Sequence, residues 1–369
     1  MTANALVVPG AVRLVERARE YLGNARVGLL VHHASVLPDF SYLHDRLIDD
    51  PRVDVTVLFG PEHGISATAQ DQIDVAHGTY RGLPVYSLYG DCEADLRPTD
   101  EALEKFDVLV VDLQDIGVRY YTYVYTMAYC LEACARRGKR VLVCDRPNPL
   151  GGLVEEGPLL DRAFASFVGR FALPVRHART IGELAEKWNG EEGWNADLEI
   201  VPLTGWDRAM WFDQTRLPWI APSPNMPTPA TATVYPGGCL LEGTNLSEGR
   251  GTTTPFEVVG APWLDGQALA AELNARKMPG AYFRPIEFVP TFHKFSGEVC
   301  GGVFVHVAER DVFRSFDAFL ELIRAARRQA PGRFAWRTEP YEFETERLAF
   351  DLLCGTDKIR REIESEPTA

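Results

Sequence analysis

The sequence predicts an α/β fold in which a Rossmann-like, doubly wound parallel sheet is joined to a second, smaller α+β lobe. Short apolar runs recur through the first half of the 369 residues, helical patterns lie between them, and the rhythm changes after residues 148–152. Strands that alternate with helices are typical of a parallel sheet covered on both faces. We therefore place the Rossmann-like domain at residues 1–160 and the α+β lobe at residues 161–369.

Apolar runs in the first half predict buried strands, because strands covered on both faces form continuous hydrophobic segments. The predicted strands are residues 27–31, 53–59, 85–88, 108–111 and 141–144. Stretches with helical periodicity lie before and between them. The predicted helices are residues 13–20, 42–48, 98–105 with Thr99 as the cap, and 121–136, which Gly138 ends.

The second half has a different pattern, which predicts a mixed lobe. Residues 180–189 predict a helix in which Thr180 is the cap and Glu183 completes a capping box. Further along, a strand is predicted at 303–307 and a helix at 313–328. Residues 202–263 are rich in Pro, Trp and Gly and show little periodicity, so we expect a functional segment or one that wraps a neighbouring lobe.

The composition argues against two classes of partner. A net charge of −14 and an isoelectric point near 5.1 disfavour nucleic acid and anionic membranes, which select basic surfaces. No apolar run reaches the ~18 residues of a membrane span, and we see no secretory signal. The seven cysteines are an odd number without a C-x-x-C pair, which favours a reducing compartment, so we expect a cytoplasmic location, or a periplasmic or secreted one if a signal precedes the given sequence.

Polar side chains follow each of the four strong predicted strands. In an open parallel sheet, ligands bind outside the carboxyl ends of the strands, so these side chains are expected to meet at one edge. They are His32 and His33 after the first strand, Glu62 and His63 after the second, Asp112, Gln114, Asp115, Arg119 and Tyr120 after the third, and Asp145, Arg146 and Asn148 after the fourth.

Glu62 is the strongest single candidate for catalysis. It stands in a GPEHG motif at residues 60–64, and glycines at both ends of a motif predict a tight turn. A carboxyl group held in such a turn against an apolar wall can act as a general acid. The alternative is that Glu62 is a solvated loop carboxylate.

The other polar residues at this edge have two interpretations each. Asp112 and Asp145 directly follow strands, where a carboxylate also bonds to backbone amides, so Asp115 is the better candidate to contact substrate. Arg119 and Arg146 are candidates to bind a carboxylate bidentately, or else they pair with these aspartates.

Several enzyme motifs are missing from the sequence. It contains no G-x-G-x-x-G, P-loop, G-x-S-x-G or H-E-x-x-H motif, so we expect neither a nucleotide nor a metal, and no cofactor. The histidines His32, His33, His63 and His177 would form a metal site only through tertiary proximity.

The densest polar run of the second half is EGTNLSEGRGT at residues 242–252. Its carboxylates, hydroxyls, amide and arginine lie among glycines, a mixture that suits the donors and acceptors of sugar hydroxyls. The alternative is a surface loop of polar turns.

Five motifs in the same order resemble those of the exo-β-N-acetylmuramidase family of glycoside hydrolases, formerly a family of unknown function. They are GPEHG at 60–64, DLQDIGVR at 112–119, DRPNP at 145–149, PSPNMP at 222–227 and EGTNLSEGRGT at 242–252. The resemblance runs from about residue 28 to near the C-terminus. It implies a Rossmann-like domain and a smaller lobe that completes an active-site cleft. The implied reaction is hydrolysis that releases terminal β-linked N-acetylmuramic acid from peptidoglycan-derived fragments.

The resemblance also suggests roles for individual residues. The glutamate of the family's GPEHG motif falls on Glu62, which would be the acid. Glycosidic cleavage usually needs a second carboxylate, for which Asp115 is our choice. The rivals of Asp115 are Glu156, Glu242 and Glu248. The candidates for the lactyl carboxylate of the substrate are Arg119, Arg146 and Arg250. Further expected substrate contacts are His32, His63, Gln114, Tyr120, Asp145, Asn148, His177, Asn225 and Asn245.

Two other functions remain open at this point. One is a metal-dependent amidase or deacetylase of cell-wall fragments, with His63 and the aspartates around the metal. The other is a non-catalytic sugar-binding protein with the same two-lobe layout. A homodimer is also left open.

Overall fold

The structure is a computed structural model that describes residues 6–66 and 77–367. The described residues form two compact units that are interleaved along the chain. The first unit draws on Met1–Gly117, Tyr121–Leu153 and Ala178–Pro224, and the second on Val118–Tyr120, Val154–His177 and Asn225–Ala369. The division into domains at residue 160 stays a prediction, and the two compact units follow a different course along the chain.

The described part of the first unit contains a sheet of seven strands in the order β3-β4-β2-β1-β5-β6-β7. Its strands are β1 (Arg26–Val31), β2 (Asp54–Gly60), β3 (Gly78–Tyr80), β4 (Leu83–Ser87), β5 (Val108–Asp112), β6 (Arg140–Cys144) and β7 (Leu198–Val201). All neighbouring pairs are parallel except β3 with β4. β7 was not predicted. It lies beyond residue 160, yet it pairs with β6 because the chain returns to this sheet after leaving it.

The helices of the first unit connect these strands. They are α1 (Gly10–Glu16), α2 (Ala18–Leu22), α3 (Leu43–Ile48), α4 (Asp100–Leu103), α5 (Tyr123–Arg136) and α6 (Ile181–Glu191), with 3₁₀ helices at Glu93–Leu96 and Phe212–Thr215. Along the two described ranges, no helix of either unit combines the length and the apolar composition needed to cross a bilayer.

The central strands of the sheet are buried on both faces, which explains why most of their positions are apolar. Leu29 and Val110 belong to a core with Leu14 of α1 and Leu47 of α3. Val111, which points to the opposite face, is also fully buried. The predicted parallel sheet covered by helices is therefore confirmed.

The two predicted helix caps are confirmed. The Thr99 hydroxyl accepts a hydrogen bond from the Ala102 amide at the start of α4. The Thr180 hydroxyl accepts from the Glu183 amide, and the Glu183 carboxylate accepts from the Thr180 amide, which completes the capping box of α6. Such contacts depend only on residues three apart, so the sequence alone specifies them.

The described part of the second unit contains a sheet of three antiparallel strands in the order β8-β10-β9. Its strands are β8 (Val258–Ala261), β9 (Ala281–Phe288) and β10 (Cys300–Val307). Its helices are α7 (Pro229–Gly238), α8 (Gly266–Ala275), α9 (Ser315–Gln329), α10 (Ala349–Cys354) and α11 (Lys358–Ser365), with 3₁₀ helices at Arg162–Phe164 and Cys239–Gly243. The predicted strand at 303–307 and helix at 313–328 are confirmed as β10 and α9.

Residues 202–263 show little periodicity, yet α7 and β8 lie in this stretch. Thr228 caps α7 by accepting from the Thr231 amide, and Pro229 occupies the first turn. Proline is favourable there, since the first turn of a helix needs no backbone donor. A proline-rich segment was therefore compatible with a helix.

Candidate active site

The candidate site in the first unit lies at the carboxyl edge of the seven-stranded sheet. β2, β1, β5 and β6 are adjacent and parallel, so the loops that follow them start at the same edge. The predicted residues of these loops that the structure brings to this edge are His32, Glu62, His63, Gln114, Asp115, Asp145, Arg146 and Asn148. Several of them bond to backbone groups, and their contact with a ligand stays a prediction.

Glu62 lies on a tight turn directly after β2. The Gly64 amide donates to the Pro61 carbonyl at 2.9 Å. His63 and Gly64 both adopt positive φ, 67° and 75°, and such a backbone is costly for a histidine. The strained turn holds Glu62 in a largely buried position, with 5% of its surface exposed.

Thr122 orients the Glu62 carboxyl group. Its hydroxyl donates to Glu62 Oε2 at 2.6 Å, and both side chains are buried. In the described ranges, no cationic side chain lies within ion-pair distance of Glu62, and no group donates to its Oε1 atom. One oxygen of Glu62 is therefore fixed by a neutral donor, while the other has no protein partner in these ranges.

The charges of Asp115 and Glu62 both affect the pKa of the Tyr121 hydroxyl. Burial raises the pKa of Tyr121, a hydrogen bond with Ser223 opposes this, and the charges of Asp115 and Glu62 raise that pKa further. The Asp115 Oδ2 atom accepts from the Gly117 amide at 2.6 Å. The charges of the two predicted carboxylates thus both raise the pKa of Tyr121.

Gln114 supports the loop that carries Asp115. Its side-chain amide donates to the backbone carbonyls of Asp115 and Pro147, at 2.7 and 3.2 Å. This amide therefore ties the loop after β5 to the loop after β6.

His32 is a buried, neutral imidazole. Its Nε2 atom accepts from the Gln114 amide at 2.9 Å, which places the proton on Nδ1. Burial lowers the pKa of His32 well below its ordinary value, and the Arg146 charge lowers it further. The ring packs edge-on against Tyr123, with 4.7 Å between centroids. His32 thus holds the loop after β5 in place.

Arg146 and Asp112 form a buried bidentate ion pair. Arg146 Nε and Nη2 donate to the two Asp112 oxygens at 2.6 and 2.8 Å. Nη2 also donates to the Val36 carbonyl at 3.2 Å. Pairing with an aspartate is the structural alternative that the sequence left open for Arg146, whereas backbone amides had been the alternative for Asp112.

Asp145 likewise supports the backbone. It accepts from the Thr180 hydroxyl at 3.0 Å and from the Gly182 amide at 2.9 Å, at the start of α6. Burial raises the pKa of Asp145 to about 6, although these hydrogen bonds act in the opposite direction.

Asn148 shapes the turn that follows β6. Its amide donates to the Arg179 carbonyl, and its Oδ1 atom accepts from the Leu150 amide, both at 2.9 Å. Gly117 lies against it, so close that a Cβ atom there would be 2.3 Å from Asn148 Oδ1. Gly117 also has a φ of 82°, so glycine is required on both counts.

Arg119 and Tyr120 are fully engaged within the second unit. Arg119 is completely buried and donates to the backbone carbonyls of Pro158, Leu173 and Leu353. The Tyr120 hydroxyl donates to the Pro236 carbonyl. These bonds give each residue a structural role, and a contact of either with substrate stays a prediction.

Glu156 forms a buried ion pair with Arg176 at 2.7 Å. Its other oxygen accepts from the Phe316 amide, at the beginning of α9. His177 follows Arg176 in the chain and is fully buried, while Asn225 begins the last segment of this unit.

The polar run at residues 242–252 supplies two buried glutamates. Glu242 accepts from Arg250 at 2.7 Å and from the Tyr341 hydroxyl at 2.6 Å. Glu248 is completely buried and pairs with Lys294 at 2.9 Å and with His293 at 3.1 Å. Both carboxylates are therefore neutralised by cations.

Burial and the neighbouring charges have opposite effects on the pKa of Glu248. Burial raises the pKa of this carboxyl, but Lys294, His293 and Arg250 together outweigh it and hold the pKa well below the ordinary value. Asn245 of the same run uses its side-chain amide in two backbone bonds, to the Arg333 carbonyl at 2.7 Å and from the Ala335 amide at 2.9 Å.

Sequence reasoning missed several of these partners. Thr122 carried no recognisable signal, because it reaches Glu62 across 60 residues of chain. Tyr121 had been interpreted as a packing residue of a helix, but α5 begins only at Tyr123. His293 and Lys294 did carry a signal, since they stand together in a short segment between two phenylalanines.

The structure also bears on metal binding. Within residues 6–66 and 77–367, no group of three or more His, Cys, Asp or Glu side chains is arranged to hold a metal ion. His63 lies on the turn with Glu62, and Asp112 is held by Arg146.

Comparison with known proteins places these motifs in one family. Residues 27–230 match the family model described as "Exo-beta-N-acetylmuramidase NamZ, N-terminal", and residues 233–369 match its C-terminal counterpart. A curated relative, "Peptidoglycan beta-N-acetylmuramidase NamZ" of Bacillus subtilis strain 168, is 43% identical over 361 residues. That match covers 97% of this chain and 84% of the relative.

Two solved structures of Bacteroides fragilis proteins, both described as DUF1343 family proteins, are similar over nearly the whole chain. The first has a TM-score of 0.89 at 35% identity and covers 97% of this chain and 91% of its own. The second has a TM-score of 0.75 at 29% identity, with coverage of 99% and 92%. The chain belongs to the exo-beta-N-acetylmuramidase family.

Proposed function

We propose that this chain is an exo-acting glycosidase that releases terminal β-linked N-acetylmuramic acid from peptidoglycan-derived fragments. The observation that carries the proposal is the position of Glu62, and the chain belongs to a family of exo-beta-N-acetylmuramidases. Glu62 is a buried carboxyl on a strained turn at the carboxyl edge of a parallel sheet, oriented by the Thr122 hydroxyl. That arrangement is typical of a group that gives up and regains a proton.

In the proposed reaction, Glu62 is the general acid. It transfers its proton to the oxygen that joins the terminal sugar to the next one, and the bond between that oxygen and the anomeric carbon breaks. Asp115 then acts on the anomeric carbon, either by activating a water molecule or as a nucleophile that water later displaces. Water supplies the hydroxyl of the released sugar, and Glu62 recovers a proton.

Recognition of the lactyl carboxylate of the substrate is a separate part of the proposal. Arg119, Arg146 and Arg250 are the sequence candidates, and each already donates to protein acceptors. Arg146 and Arg250 retain 5% and 6% exposure, whereas Arg119 has none. This makes Arg146 and Arg250 the better candidates, since a ligand needs some access to the guanidinium.

The test compares two chromogenic substrates, an aryl β-N-acetylmuramide and the matching aryl β-N-acetylglucosaminide. They differ in the lactyl group, so we expect release of the aryl group from the first and little from the second. A sample treated with a chelator should react at the same rate, whereas a metal-dependent amidase or deacetylase would lose activity. Absence of cleavage of both substrates would contradict the glycosidase assignment.

Cellular location and oligomeric state also belong to the proposal. We propose a cytoplasmic location, which fits the seven cysteines, and action on imported wall fragments. Cell fractionation with an antibody against the chain tests the location, and light scattering during size-exclusion chromatography tests whether a homodimer forms.

A further inference from the structure

A cavity lies in the first unit, at the carboxyl end of β4. Its volume is about 400 Å³, within the range that suits a small ligand. The side chains that line it include Tyr86, Tyr89, Asp91, Ala94, Asp95 and Arg97. The candidate catalytic residues described above do not line it, so it is a separate feature.

The cavity is next to the turn that carries Glu62. β4 runs parallel to β2, with Ser87 opposite Gly60. The Leu88 amide donates to the Gly60 carbonyl at 2.8 Å, which extends the pairing to the end of both strands. Neighbouring strands are about 4.8 Å apart. The cavity at the end of β4 and the Glu62 turn at the end of β2 therefore lie at the same sheet edge, one strand apart.

The lining favours a neutral ligand that carries hydroxyl or amide groups. Asp91 is exposed, and in the described ranges it has no hydrogen-bond or ion-pair partner. Asp95 adds a second carboxylate, whereas Arg97 stacks on the Tyr129 ring with 4.2 Å to its centroid. Two carboxylates beside one arginine disfavour an anion, while carboxylates accept hydrogen bonds from sugar hydroxyls and tyrosine rings pack against sugar rings.

We infer that this cavity is the subsite for the sugar on the leaving-group side of the bond that is cleaved. The inference rests on the proposed function. A general acid protonates the oxygen that joins the two sugars, so the leaving sugar has to lie beside the segment that carries the acid. In peptidoglycan that sugar is a neutral N-acetylated hexosamine, which matches the lining.

Two substrates separate this subsite from the rest of the reaction. The disaccharide N-acetylmuramyl-β-1,4-N-acetylglucosamine would occupy it, whereas an aryl β-N-acetylmuramide has no second sugar. Ala94→Trp fills the cavity from its surface, and Asp91→Asn removes the unpaired charge. We expect kcat/KM for the disaccharide to fall roughly tenfold or more with Ala94→Trp and less with Asp91→Asn, with the aryl substrate within about twofold.

Asp54→Asn is the matched control, since Asp54 begins β2 at the opposite edge of the same sheet and should change neither rate. Thermal unfolding of each variant shows whether the fold is kept. The inference is overturned if both substrates slow equally in the two cavity variants, or if neither slows. If the unmodified chain cleaves neither substrate, the proposed function fails and this inference fails with it.

Discussion

Glu62 of the first unit and Glu248 of the second are both buried glutamates in glycine-flanked loops, but their partners differ in kind. Glu62 accepts one hydrogen bond from the Thr122 hydroxyl. Glu248 is surrounded by Lys294, His293 and Arg250. The same residue type is therefore held by a neutral donor in one region and by cations in the other.

This difference distinguishes a catalytic role for one glutamate from a structural role for the other. A carboxylate beside Lys294 and Arg250 is held in its ionised form, because taking up a proton would leave these two positive charges without their counter-charge. A carboxyl held by a hydroxyl can exist in either state, since the hydroxyl is neutral in both. We therefore expect Glu62 to matter for turnover and Glu248 for stability, although sequence motifs mark both.

The largest expected effect comes from Glu62→Gln. The amide is similar in shape but has no proton to give, so kcat should fall by about 10²–10⁴-fold, the usual contribution of acid–base catalysis. The assay is initial-rate hydrolysis of an aryl β-N-acetylmuramide. The thermal unfolding midpoint should stay unchanged, and Glu104→Gln, an exposed change in the same unit, should retain full activity. A Glu62→Gln variant that turned over at the normal rate would contradict the assignment of the acid.

Glu248→Gln is expected to lower stability, whereas Glu62→Gln is expected to lower turnover. Glu248 is buried and Lys294 is half-buried, so loss of the carboxylate leaves Lys294 without its counter-charge, and the free energy of unfolding should fall by up to about 3 kcal/mol. Urea denaturation at pH 7 measures this loss. Glu362→Gln breaks an exposed ion pair with Arg324 in the same unit and should cost less than about 1 kcal/mol. Equal losses of stability in Glu248→Gln and Glu362→Gln would contradict the structural role that we expect for Glu248.

The effect of Glu248→Gln also depends on pH. Because the pKa of Glu248 is lowered in the folded chain, its stabilisation is present above the ordinary value of 4.5 and is lost as the pH falls below it. The difference in stability between the unmodified chain and Glu248→Gln should therefore shrink in acid. A difference that stayed constant down to acid pH would show that the charge of Glu248 is not what stabilises the unit.

Asp145 tests a third case, a buried carboxylate with neutral donors but a structural role. Its pKa is raised from 3.8 to about 6, so the folded chain prefers the protonated form, and this preference is lost as the pH rises through 6. Relative to Asp145→Asn, the unmodified chain should lose about 2 kcal/mol of stability between pH 4 and pH 7. Denaturation of both proteins across this range measures the change. Parallel stability profiles would show that Asp145 does not titrate there.

The sequence could predict the strands and the helix caps, but it could not predict the partners of the buried carboxylates. The strands and their shared edge were predictable, because apolar runs such as residues 108–111 identify parallel strands and topology aligns their ends. The capping box of Thr180 and Glu183 was predictable because it is local. The nature of each carboxylate's partner was not, since Lys294 approaches Glu248 from 46 residues away in the chain.

The smallest effect is expected for Thr122→Val, which tests how the neutral donor works. Valine keeps the shape of threonine but removes the hydroxyl, so the Glu62 carboxyl loses the contact that orients it. A hydrogen bond to an ionisable partner contributes about 1.5–3 kcal/mol, so kcat should fall by roughly 10- to 150-fold. KM should change little, because Thr122 is a positioning residue that acts through Glu62.

Thr122→Ser distinguishes positioning from packing. Serine restores the hydroxyl while omitting the methyl group, so it should recover most of kcat if the hydrogen bond to Glu62 is what matters. If Thr122→Ser were as slow as Thr122→Val, the methyl group would be the important part and Thr122 would only pack. In that event the contrast between a neutral donor at Glu62 and the cations at Glu248 would describe the architecture of the two loops and nothing about turnover.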